Sequence, residues 1–167
     1  MSLPMPTARP ARKQPKAAPR ATLDSLDATH REILSMLTQL DRLMLHLTTV
    51  GCDGVAQALA ADVCRFFATT ARKHHEDEEQ LVFPALLKSP DAELVQHIQR
   101  LQQDHGWLEE DWLELAPLLQ AVAQGQNFYE IETLREGVNV FANLYHEHIA
   151  LEDSLIYPAA RQQPVRG

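Results

Sequence analysis

Four histidines and two glutamates stand where an amphipathic chain should place apolar residues: His30, His74, His105 and His148, with Glu78 and Glu152 each four residues after a histidine. Imidazole nitrogen mixed with carboxylate oxygen suits iron, manganese or zinc, and disfavours copper(I) or calcium. Four imidazoles and two carboxylates are more donors than one tetrahedral zinc ion can use. Two carboxylates can instead bridge a pair of ions held roughly 3.5–4 Å apart. The spacing serves that end if His74–Glu78 and His148–Glu152 lie on helices, because residues four apart share one helix face. A lone histidine on an apolar stripe is ordinarily a core residue, and a buried unpaired carboxylate tends to give up its charge. The chemistry therefore depends on whether the six residues meet.

The elements that must position them follow from the apolar periodicity. Stripes at alternating steps of three and four run Leu26, His30, Ile33, Leu37, Leu40, Met44, Leu47; Val63, Phe67, Thr70, His74, Glu78, Leu81, Ala85; Leu94, Ile98, Leu101, His105, Leu108, Trp112, Leu115, Leu119, Val122; and Ile131, Leu134, Val138, Phe141, Tyr145, His148, Glu152, Leu155, Ala159. Such steps keep one helical seam facing its partners. Breaks at Gly51 and Gly54, at Ser89-Pro90-Asp91 and at Gly125 are short, so successive helices run antiparallel. The expected fold is all-α, an up-down-up-down antiparallel four-helix bundle over residues 23–163. Pro117 should bend the third helix, and Pro84 and Pro158 the last turns of the second and fourth.

Counting along these helices sets the heights of the histidines. His30 lies 21 residues before Gly51, His74 21 after Asp53, His105 20 before Gly125 and His148 21 after Asn127. At about 1.5 Å per residue, all four stand roughly 30 Å from the same end. Inward histidines at one level of an antiparallel bundle must approach one another.

An internal repeat fixes the register. Residues 74–84 read HHEDEEQLVFP and residues 148–158 read HIALEDSLIYP, an offset of 74, while His30 and His105 are 75 apart. In both segments His is followed by Glu at +4, an apolar pair at +7 and +8, an aromatic residue at +9 and Pro at +10. The chain reads as a duplicated helical hairpin, each half supplying two His and one Glu. The seam selects His74 and Glu78, which leaves His75 and Glu79 about 100° around the helix, solvated or supporting the ligands.

Composition agrees. Aromatic residues make up 6% of the chain and glycines number six, which favours helix over sheet. The formal charge of −8 divides into +5 over residues 1–22 (Arg9, Arg12, Lys13, Lys16, Arg20) and −8 − 5 = −13 over the rest. So acidic a body is a poor partner for nucleic acid. Residues 1–22 also hold five of the ten prolines and read as a disordered basic tail. No membrane span or secretory signal is present in the sequence, and a cytoplasmic protein is expected. Cys52 and Cys64 match neither a disulfide framework nor a zinc motif. There is no glycine-rich phosphate loop.

His30, H74HEDE78EQLVFP, His105 and H148IALE152DSLIYP together resemble the hemerythrin-like family of HHE cation-binding domains, over residues 23 to about 160. The resemblance implies a non-haem di-iron centre, often with an oxygen atom between the irons. Manganese or zinc would be possible substitutes. His30, His74, His105 and His148 would be terminal ligands, and Glu78 and Glu152 bridging carboxylates. Members are implicated in dioxygen binding, oxygen or nitric-oxide sensing, iron handling and repair of damaged iron–sulfur clusters. Oxygen carriers typically supply five histidines, two of them four apart on the third helix. Here Glu109 follows His105 at that spacing, and either it or a water would fill the place. The four-His, two-Glu set more closely resembles the iron–sulfur repair and iron-sensing branches. The function implied is binding or sensing of dioxygen or nitric oxide. A di-iron redox enzyme or iron donor in stress repair and a metal-stabilised structural bundle are the alternatives. Tyr145, one turn before His148, and Trp112, two turns after His105, pack beside the site. Tyr145 is placed to donate a hydrogen bond to a ligand or a bound oxygen species. His46, His97 and His146 lie off the seams and read as surface residues. A protein partner is not specified by the sequence.

Overall fold

Helix α1 (Arg20–Thr49) starts directly after Pro19, whose carbonyl accepts the Leu23 amide at 3.1 Å. It ends where Gly51 takes φ +108°, a conformation that favours glycine. The computed structural model describes residues 11–126 and 130–164. Helix α2 is composite: Gly54–Ala68 and Thr70–Asp77 meet at a bend, a π turn follows over Glu78–Val82, and Phe83–Leu86 closes it. The bend lies at Thr69, whose hydroxyl donates to the Arg65 carbonyl at 2.7 Å. Helix α3 spans Ala92–Ala123 and is capped by the Asp91 carboxylate, which accepts from the Glu93 and Leu94 amides. Helix α4 runs Ile131–Leu151, a π turn over Glu152–Ile156, and Tyr157–Gln162. Each helix packs on its two neighbours, α1 on α2 and α4 and α3 on α2 and α4, which makes the antiparallel four-helix bundle. Among the described residues, no helix is long and apolar enough to cross a membrane.

The predicted seams of α1 and α3 are buried, apart from half-buried Leu94 and Trp112. The core is divided in two. One apolar cluster gathers residues such as Ile33, Leu40, Val63, Phe67, Leu119 and Val138. The other gathers Leu23, Leu26, Val82, Phe83, Ile98 and Ile156. Between them lies a layer of buried polar residues: His30, His74, Glu78, Asp104, His105, His148 and Glu152.

Two expectations change. Leu81 and Leu155, assigned to the seams, are 44% and 46% exposed, and Val82 and Ile156 are buried in their place. The π turns cause this. Each carries one more residue than an α turn and advances the following side chains by about 100°. The Phe83 amide reaches back five residues to Glu78, and the Tyr157 amide to Glu152. Pro84 and Pro158, which have no amide to donate, come next in the chain. Truncating Ile156 to alanine should therefore cost about 2–5 kcal/mol, and Leu155→Ala less than about 0.5 kcal/mol. Denaturant unfolding of the two variants checks the register.

The second change concerns the tail. Ala18 is 4% exposed and packs with Leu23, Leu26 and Tyr157, so the bundle begins within the segment read as disordered. The apolar pair Ala17–Ala18 before the helix-starting Pro19 is the physical reason. Residues 1–10 of the expected tail, and Asn127, lie outside the described residues.

Candidate metal centre

The six residues singled out by type and spacing converge. α1 supplies His30, α2 His74 and Glu78, α3 His105, and α4 His148 and Glu152, all within the polar layer. Together with His75 they form two overlapping groups. His30, His74, Glu78 and Glu152 bring four ligand atoms within 4.8 Å of one another, and so do His75, Glu78, His105 and His148. Glu78 belongs to both. Its Oε1 lies 3.1 Å from His74 Nε2 and 3.4 Å from His105 Nε2. Glu152 Oε1 lies 2.8 Å from His148 Nε2 and 3.4 Å from His30 Nε2. The pseudo-two-fold of the repeat is thus visible in the contacts, each glutamate meeting its own helix's histidine and one from the other half.

Polar atoms this deeply buried are ordinarily hydrogen-bonded. Here both ring nitrogens of His74, Glu78 Oε1 and both carboxylate oxygens of Glu152 are buried without a hydrogen-bond partner. His105 Nε2 and His148 Nε2 face each other at 3.2 Å. Imidazole and carboxylate lone pairs converging in one buried layer fit cations. The donor set of imidazoles and carboxylates fits iron, manganese or zinc.

Three further carboxylates hold the rings. Asp153 meets His30 Nδ1 at 2.7 Å, Glu79 meets His105 Nδ1 at 2.8 Å, and Asp104 meets His148 Nδ1 at 3.3 Å. A carboxylate on Nδ1 fixes the tautomer and ring orientation and leaves Nε2 free for a metal. Tyr157 stacks on His30 (ring centroids 4.8 Å apart) and its hydroxyl donates to Glu78 Oε2 at 2.9 Å. Burial would raise the Glu78 carboxyl, but the His74 and His105 imidazoles outweigh it and hold it well below the usual carboxylate range. His75 is driven well below its ordinary value by burial and by the charge of His105. His105 itself, despite burial, is raised to about 9 by Glu78 and Glu79.

His75 departs most from its sequence-based expectation. Set aside as solvated or supporting, it lies in the second group, its ring stacked 4.1 Å from that of His105. A helix packed between two neighbours presents a broad inward arc, wide enough for two consecutive residues. Glu109, offered as an extra ligand, is 59% exposed, lies 3.7 Å from Arg72 and is in neither group. Tyr145 is buried, with its hydroxyl 3.4 Å from His75 Nε2. Trp112 packs on Phe67 and Phe141 and meets no donor of the site. His46 is only partly exposed and bonds Asp53 at 2.7 Å.

Tyr157, Asp104 and Asp153 escaped the sequence reading as groups that hold the ligands, whereas Glu79 takes the supporting place that was one of its two expected ones. A signal for two of them exists: Glu79 and Asp153 are 74 residues apart, each directly after a repeated glutamate. His75 and Asp104 break the repeat, with Ile149 and Thr29 at the equivalent places, and carry no such signal.

Residues 21–160 match the hemerythrin HHE cation binding domain family. An "Uncharacterized protein" of Haemophilus influenzae is 31% identical over 137 residues, covering 80% of this chain and 75% of that protein. No solved structure matches.

Proposed function

The chain belongs to the hemerythrin HHE cation-binding family, and from that premise we propose that it holds a pair of iron ions and binds or senses dioxygen or nitric oxide. The observation that carries this reading is Glu78, fully buried and common to two adjoining four-donor groups. On this reading His75, His105 and His148 would hold one ion and His30 and His74 the other. Glu78 would bridge them and Glu152 would complete the set. Manganese or zinc can occupy the same donors. An iron pair supplies redox-active Lewis-acid chemistry suited to diatomic gases.

The chain's own residues prepare that chemistry. Asp153, Glu79 and Asp104 aim the imidazoles, and Tyr157 anchors Glu78. Burial pushes the Tyr145 and Tyr157 hydroxyls up, so both stay protonated as hydrogen-bond donors. The apolar clusters cover the polar layer on either side.

The optical spectrum of anaerobically reduced, iron-loaded protein, before air, in air and after degassing, tests the reading. A charge-transfer band that comes with air and leaves on degassing is the result expected of reversible binding. A band that persists would mean redox turnover or one-way sensing instead. No band at all would overturn the iron reading and leave a metal-stabilised structural bundle.

A further inference from the structure

A cavity of about 590 Å³ opens between α2 and α3 and reaches His75, His105 and Tyr145. A diatomic gas needs far less, since a water molecule's share of the liquid is about 30 Å³. Sites for organic small molecules occupy roughly 300–1,000 Å³. The cavity serves one side of the centre. His75 and His105 line it, and His30, His74 and Glu152 do not.

Its inner wall is aromatic. Phe67 meets Trp112 and Phe141 at centroid distances of 5.4 and 5.1 Å, and Tyr145 closes the deep end beside His75. Such rings favour another ring at an edge or an offset face. The rim holds Glu76, Glu79 and Glu109 against a single cation, Arg72, which already lies 3.7 Å from both Glu76 and Glu109. The entrance is therefore net negative and disfavours an anion.

Gly106 supplies an independent indication. It lies inside α3 next to His105, where glycine weakens a helix. Its backbone is helical, and a Cβ added there would meet nothing within 4 Å. Neither conformation nor packing calls for glycine. What its missing side chain does is leave the cavity open beside His105.

We propose that this cavity is a binding site for a neutral aromatic small molecule, held against the His75–His105 side of the centre. The proposal rests on the cation reading above only in setting that molecule beside an ion.

The test uses zinc-loaded protein, zinc being diamagnetic, with p-cresol as the neutral probe and 4-hydroxybenzoate as its anionic counterpart. The indole N–H signals are read by NMR. Trp112 lines the cavity, whereas Trp107, half exposed and outside it, is an internal control. Expected is a saturable shift of Trp112 with p-cresol, none of Trp107, and binding of 4-hydroxybenzoate weaker by roughly tenfold or more. Gly106→Leu, and separately Ala116→Leu, should weaken p-cresol binding by roughly tenfold with zinc content and melting temperature retained. An unmoved Trp112 signal, or one that shifts equally in both variants, would overturn the proposal. Should the protein take up no zinc, the cation reading fails by itself, and the same titration of metal-free protein still decides the cavity.

Discussion

Glu78→Ala is expected to strip the protein of both ions, whereas His75→Ala should empty only the position that His75 shares with His105 and His148. The difference comes from membership: Glu78 alone stands in both donor groups. Supporting residues behave differently again. Asp104→Ala leaves every donor in place and frees His148 Nδ1 and the Arg100 guanidinium, and a loss of roughly 10–100-fold in affinity is expected. Metal content per chain after iron loading and gel filtration measures all three. Glu78→Gln, which keeps the shape and the Tyr157 contact but not the charge, separates loss of a bridging carboxylate from loss of folding. A Glu78→Ala protein that kept both ions would exclude a bridging role for this residue.

Removal of the ions should also destabilise the bundle markedly. With ligand at a thousand times its dissociation constant, binding to the folded state alone adds about 4 kcal/mol. For a chain of this size that is roughly 8–16 °C in melting temperature. The two apolar clusters do not depend on an ion for their contacts. Without ions, five ring and carboxylate atoms of His74, Glu78 and Glu152 would stay buried without a hydrogen-bond partner. Thermal unfolding with and without a chelator measures the difference. Equal melting temperatures would mean that those atoms find other partners and that the layer does not need a cation.

The candidate site was legible in the sequence to the extent that it obeys helical periodicity. His30, His74, His105 and His148 fall on apolar seams and share one height, and a straight bundle needs no further information to bring them together. Glu78 and Glu152 follow from the i, i+4 relation. Where local geometry leaves the ideal helix, the same rule misleads: it put Leu81 and Leu155 inside, because it cannot see the added residue of a π turn. His75 was lost for a related reason. A one-seam rule admits one of two neighbouring histidines, but the inward arc of α2 admits both, His74 against His30 of α1 and His75 against α3 and α4. Glu109, expected as an extra ligand, is exposed beside Arg72, while His75 approaches the donors from another helix. Tyr157 was read only as the aromatic member of a repeat, since nothing in spacing says that its hydroxyl, unlike the ring of its counterpart Phe83, reaches a carboxylate.

The paired π turns carry a historical consequence. An i→i−5 turn is an α-helix that has gained one residue, and single-residue insertions in a packed helix are disruptive, since everything beyond them rotates. Here the same gain occurs twice, at Glu78 and at Glu152, 74 positions apart and followed by the same aromatic–proline pair. Two independent insertions at equivalent sites are a far less economical account than one insertion copied. If the two halves descend from one hairpin, that hairpin already carried its extra residue, and paired as two identical chains it would have presented two equal glutamates to one shared centre. The asymmetries that now distinguish the halves, His75 against Ile149 and Tyr157 against Phe83, then date from after the fusion, when one gene could for the first time alter one side without altering the other.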